Sequence, residues 1–139
     1  MESRFTVDFE YDDEPRVSLT LYSPETEVRF SIEAHIDTGA EITMFDDSIA
    51  RQLRLDLTHA SEVHLVGLGG RTTGRLAEVE LTLLGSVELT IALSAAFVSD
   101  DTGQIGNLIG LDVLSSFSLG LAHGQRHGFL GVPVGGARR

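Results

Sequence analysis

One acidic residue stands where a well-patterned strand gives way to a tight turn. In the segment 34–41, apolar and polar residues alternate up to Asp37, and Thr38 and Gly39 follow at once. An acid at a strand end, followed by a turn with exposed backbone groups, can present its carboxylate to a cleft. Asp and Gly also form ordinary turns, and for the isolated tripeptide that plainer interpretation is the better one.

Two glycine-containing segments add to this feature. Gly69 and Gly70 lie between two alternating runs, which predicts a hairpin with a mobile tip because glycine adopts positive φ without strain. Further on, Leu108 and Ile109 precede Gly110, a pattern that lets one backbone pass close to another. Taken alone, each is explained by a turn or a strand-to-helix junction. A phosphate-binding loop is disfavoured, since no helix pattern follows Gly70 and the sequence contains no Lys.

Length and composition limit the classes of protein. The chain has 139 residues, which predicts one domain, with 21 acidic and 10 basic residues and a net charge of -11. This charge argues against a nucleic-acid partner. No apolar run approaches the ~20 residues of a membrane helix, and no leader pattern opens the sequence, so we expect a cytoplasmic protein without a membrane partner. The absence of Cys excludes disulfides, thiolate catalysis and cysteine-based metal centres.

Period-2 alternation predicts an all-β sandwich or barrel with one or two short helices. Asp46, Asp47 and Ser48 can cap a helix through Leu53, and a second helix is predicted over 111–117. The predicted strands are Phe5–Tyr11, Val17–Leu21, Glu27–Asp37, Glu62–Leu68, Leu76–Leu84, Val87–Val98, Phe117–Leu121 and Gly128–Val132, the last two joined by a turn over 123–126.

The three features occur in a meaningful order. Asp-Thr-Gly-Ala after an apolar strand, then a glycine-tipped hairpin, then an apolar pair with Gly and Leu-Asp together resemble the signature of retropepsin-like aspartic proteases. Residues 107–114 are similar to the cellular and bacterial branch of that family. The resemblance covers about residues 16–132 and implies a single-domain acid-protease barrel over 1–139, active as a two-fold homodimer, with residues 133–139 as a flexible tail.

The resemblance implies roles for individual residues. Asp37 would be the catalytic carboxylate, Thr38 would brace the two catalytic loops across the dimer, and Gly39 would bring backbone groups to the substrate. Ile109 and Gly110 would support the catalytic loop from beneath. The remaining positions would contact substrate, at the hairpin tip or along the pocket walls: Ala40, Val66, Leu68, Gly69, Gly70 and Leu108.

Two positions depart from the family pattern. His35 replaces an apolar residue two positions before the acid, and strand phase places it on the Asp37 face. It is equally compatible with a role beside the cleft and with a solvated strand histidine. Leu111 stands where retroviral enzymes carry Arg, so Glu41 is expected to pair with Arg51, with Arg54 or with water.

The implied chemistry needs two carboxylates, one ionised as general base and one protonated to polarise the scissile carbonyl. The sequence contains one Asp-Thr-Gly, so the second must come from a symmetric copy. The expected substrate is an extended peptide or protein, without a cofactor. His123 and His127 are four residues apart, but the turn between them and the lack of a nearby acid disfavour a metal site. The alternative is a non-catalytic, dimeric binding or assembly module of the same fold.

Overall fold

A computed structural model describes residues 3–67, 70–84, 88–99 and 106–133. Within them the chain forms ten strands and two short α-helices, which confirms the all-β prediction. In chain order these are β1 (Ser3–Glu10), β2 (Arg16–Ser23), β3 (Val28–Ile36), β4 (Met44–Asp46), α1 (Asp47–Gln52), β5 (Glu62–Gly67), β6 (Gly70–Leu83), β7 (Leu89–Val98), β8 (Leu108–Ile109), α2 (Leu111–Leu114), β9 (Ser118–Ala122) and β10 (His127–Pro133).

The larger sheet closes on itself. Its strand order is β2-β3-β8-β4-β7-β6-β5, and β2 also pairs with β6, so that six strands form a barrel and β5 extends from β6. Closure removes the exposed edges that an open sheet would present. Alternate residues of β2 point inward, and Val17, Leu19 and Leu21 are buried. The predicted barrel is therefore present.

A smaller sheet packs on the barrel. Its order is β1-β10-β9, with both neighbouring pairs antiparallel. Val7 and Phe9 of β1 and Leu130 of β10 are buried in the same hydrophobic cluster as the barrel residues. The segment before residue 16 thus contributes to the core, while residues 134–139, the main part of the predicted tail, lie outside the described residues.

Helix α1 follows its predicted capping. Asp46 is the N-cap, and its carboxylate accepts a hydrogen bond from the Ser48 backbone N–H at 3.0 Å. Ile49 and Ala50 are buried against the barrel. Helix α2 is shorter than predicted: it ends at Leu114, and the chain reaches Phe117 through turns in which the N–H groups of Ser116 and Phe117 bond to carbonyls three residues earlier. The two serines at 115 and 116 favour such turns over helix.

Three strand features differ from the prediction. β4 and β8 have three and two residues, too few for alternation to be recognised. β6 begins at Gly70 and not at Leu76. Its first residues are mostly polar, so their pairing with β5 leaves no apolar pattern in the sequence.

No helix in the described ranges is both long and apolar enough to cross a membrane.

The packing of the small sheet on the barrel gives a stability prediction. Leu130 is 0% exposed, whereas Leu121 on the neighbouring strand is 47% exposed. Leu130→Ala should lower the free energy of unfolding by about 2–5 kcal/mol, because it leaves a cavity in the common core. Leu121→Ala should change it by less than about 0.5 kcal/mol. Denaturant unfolding at one fixed protein concentration measures both, and equal losses would contradict the shared core.

Candidate active site

Asp37 follows directly on β3 and is held by backbone bonds on both sides. Its own N–H donates to the Ile109 carbonyl at 3.0 Å, which prolongs the parallel pairing of β3 with β8. Its side-chain Oδ1 accepts the Gly39 N–H at 2.8 Å, and its carbonyl accepts the Ala40 N–H at 3.3 Å. The turn therefore orients the carboxylate, as the sequence predicted for an acid at a strand end.

Position 39 has little room for a side chain. A Cβ atom on Gly39 would lie 3.2 Å from the Asp37 Oδ1 atom, closer than an ordinary van der Waals contact. A side chain here would therefore press on the carboxylate that the Gly39 N–H holds. This explains why glycine stands two residues after the acid.

The loop after Asp37 rests on the backbone of the segment around Gly110. The Leu111 N–H donates to the Ala40 carbonyl at 2.8 Å. A Cβ atom on Gly110 would lie 2.6 Å from the Ile42 carbonyl oxygen and 2.8 Å from that of Ala40. Only glycine fits at this crossing. Gly110 therefore lies directly against the backbone of this loop, and support of a catalytic loop by Ile109 and Gly110 stays a prediction.

Polar groups around the buried Thr43 fix the other end of this loop. Thr43 is fully buried, and both its N–H and its hydroxyl donate to the Asp112 carboxylate, at 3.0 and 2.6 Å. The same hydroxyl oxygen accepts the Gly110 N–H at 3.1 Å. Hydrogen bonds to a charged acceptor are stronger than those between neutral groups, so the two bonds to Asp112 hold the Thr43 end of the loop strongly.

Asn107 ties two further elements to the same region. Its backbone carbonyl accepts the His35 N–H at 2.9 Å, and its side-chain Oδ1 accepts the Asp46 N–H at 2.9 Å. It therefore links the end of β3 to the end of β4. The sequence analysis missed the roles of Asn107, Thr43 and Asp112. Asn107 and Asp112 stand close to the apolar pair and Gly110, but Thr43 lies far from them in the chain, and nothing in the sequence links it to Asp112.

A groove of about 590 Å³ opens beside Asp37. One side is formed by the loop after β3 and the other by β5. Its lining combines two acids and a histidine with several apolar side chains: Asp37, Gly39, Ala40, Glu41, Ile42, Met44, Val63, His64 and Leu65. Glu41 and His64 were not predicted as site residues. The size is typical of a ligand-binding cleft.

The structure brings some predicted site residues together. Asp37, Gly39 and Ala40 line the groove, and Thr38 is exposed beside them. Val66 and Gly70 lie in the paired strands of the β5–β6 hairpin, whose ladder extends to the pair Gly67 and Gly70. Leu68 and Gly69, the predicted tip, lie outside the described residues.

Two other predicted contact residues are placed away from the groove lining. Leu108 is only 7% exposed and pairs with both β3 and β4. The His35 imidazole lies against Glu14, with 3.0 Å between Nδ1 and the carboxylate Oε2. Neither is among the described residues that line the groove beside Asp37, so their contact with substrate stays a prediction.

Glu41 lacks the ion pairs suggested by the sequence. Arg51 pairs instead with Asp47, 3.5 Å away on the same helix, and no ion pair of Glu41 occurs among the described residues. In the same part of the chain, no three His, Asp or Glu side chains come together as a metal site would require.

The fold and this groove define a class of protein: a closed β-barrel with a retropepsin-like arrangement of strands. Residues 27–113 match the family model described as aspartyl protease. The chain therefore belongs to the aspartyl protease family.

A solved structure supports the fold. The chain is similar to a retropepsin-like aspartic protease from Rickettsia conorii, with a TM-score of 0.63 and 15% sequence identity, over 91% of this chain and 98% of that one. No curated protein sequence matches significantly. The retropepsin-like fold predicted from three short motifs is thus confirmed.

The crossing at Gly110 gives a second prediction. Gly110→Ala should lower the free energy of unfolding by about 1–3 kcal/mol, because the new methyl group meets backbone carbonyls that cannot move without distorting the loop. Gly124→Ala is a matched control, since a Cβ atom there meets nothing within 4 Å. Thermal unfolding of both variants measures the difference. Equal midpoints would contradict the close approach.

Proposed function

We propose that the chain is an aspartic endopeptidase that hydrolyses peptide bonds through a water activated between two Asp37 carboxylates, one from each subunit of a homodimer. The observation that carries the proposal is the placement of Asp37. Its carboxylate lines a groove of about 590 Å³ and is oriented by the Gly39 N–H at 2.8 Å. Membership of the aspartyl protease family supports the same reaction class.

The chemistry assigns a task to each carboxylate. With Oδ1 accepting the Gly39 N–H, Oδ2 of one Asp37 is available to take a proton from water as general base. The second Asp37, protonated, donates a hydrogen bond to the carbonyl of the scissile bond. Two carboxylates ~3 Å apart share one proton because repulsion between two negative charges at this distance disfavours the ionisation of both.

The need for a second copy follows from the sequence. It contains one Asp-Thr-Gly, and a two-fold axis that passes between two such loops supplies the missing acid. Thr38 is exposed beside Asp37, where its hydroxyl can bond to the equivalent loop of the partner. In this arrangement Thr38 braces the two catalytic loops and fixes the distance between the acids.

The substrate is an extended peptide. It lies between the β5–β6 hairpin, acting as a flap, and the floor formed by the loop after Asp37, and it adds β-type hydrogen bonds to exposed backbone groups. Apolar residues of the groove offer contacts for its side chains: Ala40, Ile42, Met44, Val63 and Leu65. Closure of this hairpin over the substrate would exclude water from the reacting bond.

The direct test compares two carboxylate variants. Asp37→Asn should lower kcat on an unstructured protein substrate at mildly acidic pH by at least about 100-fold, because it removes the general base. Glu41→Gln changes a carboxylate in the same groove and should reduce turnover far less. Product formation is followed by mass spectrometry, and circular dichroism checks that both variants are folded.

Three results would contradict the proposal. Undiminished cleavage by Asp37→Asn would exclude Asp37 as the catalytic acid. Cleavage lost in Glu41→Gln but retained in Asp37→Asn would move the chemistry to the neighbouring carboxylate. No cleavage by the unmodified chain across a broad panel of unstructured substrates would favour a non-catalytic binding module.

A further inference from the structure

A second groove lies apart from Asp37 and shares no lining residue with the first. It has a volume of about 600 Å³ and is formed by the β2–β3 turn, the segment that follows α1, and residues of β6 and β7. We call it the distal groove. Its apolar surface consists of side chains that are only partly buried in the chain: Leu55, Leu57, Leu76 and Ala77. This surface is available for contact with a partner.

Hydrogen bonds hold the walls of the distal groove in place. The Thr26 hydroxyl of one wall donates to the Leu53 carbonyl at the start of the other, at 2.6 Å. Arg75 donates to the carbonyls of Leu57 and Ala60, at 3.5 and 3.2 Å, and so supports the second wall from β6. A preformed groove binds with a smaller loss of conformational entropy than one that must be assembled.

The rim of the distal groove is acidic. Glu25, Asp56 and Glu78 come from three different segments and are all exposed. Two hydrogen bonds from Thr58 to Asp56 lower the pKa of that carboxyl, so it keeps its charge further into the acidic range. His59 is the one basic side chain among the described lining residues.

Neighbouring cations do not neutralise this rim. Arg75 pairs with Glu62 at 3.1 Å, in addition to the carbonyls already described. Arg54 precedes the groove in sequence but is not among its described lining residues. The groove therefore presents an apolar surface between negative charges, and an apolar segment with flanking positive charges is its electrostatic complement.

We propose that the distal groove docks a peptide segment of a partner protein in which an apolar side chain lies between Arg or Lys residues. The apolar side chain packs against Leu55, Leu57 and Leu76, and the flanking cations meet Glu25, Asp56 and Glu78.

The test measures binding without relying on cleavage. The full-length Asp37→Asn chain is titrated with a fluorescent peptide of sequence Gly-Arg-Leu-Arg-Leu-Arg-Gly, blocked at both ends, and with two matched peptides that carry Glu for Arg or Ser for Leu. Binding of the first peptide should exceed that of both others. Amide NMR shifts should map to Glu25 and to residues 55–61 and 76–78.

Neutral substitutions of the three rim acids test whether their charges bind the cations of the peptide. The triple variant E25Q/D56N/E78Q should bind the Arg-Leu peptide about tenfold more weakly, the sum expected of three exposed ion pairs. Asn at position 56 can still accept the Thr58 bonds. The control D12N/D13N/E33Q changes the net charge equally at exposed acids outside the groove and should leave the affinity within about twofold.

Several outcomes would overturn the proposal. One is that both triple variants weaken binding of the Arg-Leu peptide equally. Another is that the Glu-substituted peptide binds as tightly as the Arg-Leu peptide. A third is that the amide NMR shifts are confined to the groove beside Asp37. Shifts at 55–61 and 76–78 that appear with protein concentration alone would assign the groove to a second copy. Because the chain tested is the Asp37→Asn variant, none of these results depends on whether the unmodified chain cleaves peptides.

Discussion

The site depends on one close contact between two backbones. The loop 37–43 lies directly on the segment 107–112, and at Gly110 the distance leaves no room for a Cβ atom: one would approach the Ile42 carbonyl oxygen to 2.6 Å. Around this contact, hydrogen bonds from Asp37, Leu111 and Thr43 hold the loop at its start, middle and end. Asp37 and Leu111 bond through backbone groups and Thr43 is buried, so the position of the Asp37 carboxylate follows from the fold of these two segments.

Much of the fold could be predicted from the sequence where one face of a strand is buried. β3 was predicted over 27–37 and is found at Val28–Ile36, because strict alternation reports a half-buried strand. The cap of α1 and the β9–β10 hairpin were predicted for similar local reasons. The short strands β4 and β8 could not be recognised, since two or three residues carry no period. They form because residues distant in the chain supply their partners.

The candidate site also contains features that could be predicted from the sequence and features that could not. The Asp-Thr-Gly turn and the packing of Gly110 could be inferred because both are requirements of the backbone. The Thr43–Asp112 cluster could not, since a threonine and an aspartate 69 residues apart give no local signal. His35 illustrates the limit of strand phase: alternation placed it on the Asp37 face, but its contact is with Glu14, from a turn whose position depends on the tertiary fold. Glu41 and His64 likewise line one groove only because β5 lies across from the loop.

The central claim is that one chain holds half of a catalytic pair, and subunit mixing tests it most directly. A constant amount of the unmodified chain is allowed to exchange subunits with an excess of about ninefold of Asp37→Asn copies, and peptide cleavage is measured. If the site needs Asp37 from both subunits, random assortment leaves few intact pairs, and activity should fall about tenfold. Activity that stays constant while exchange is verified by mass spectrometry would mean that each chain works alone, and would contradict the account.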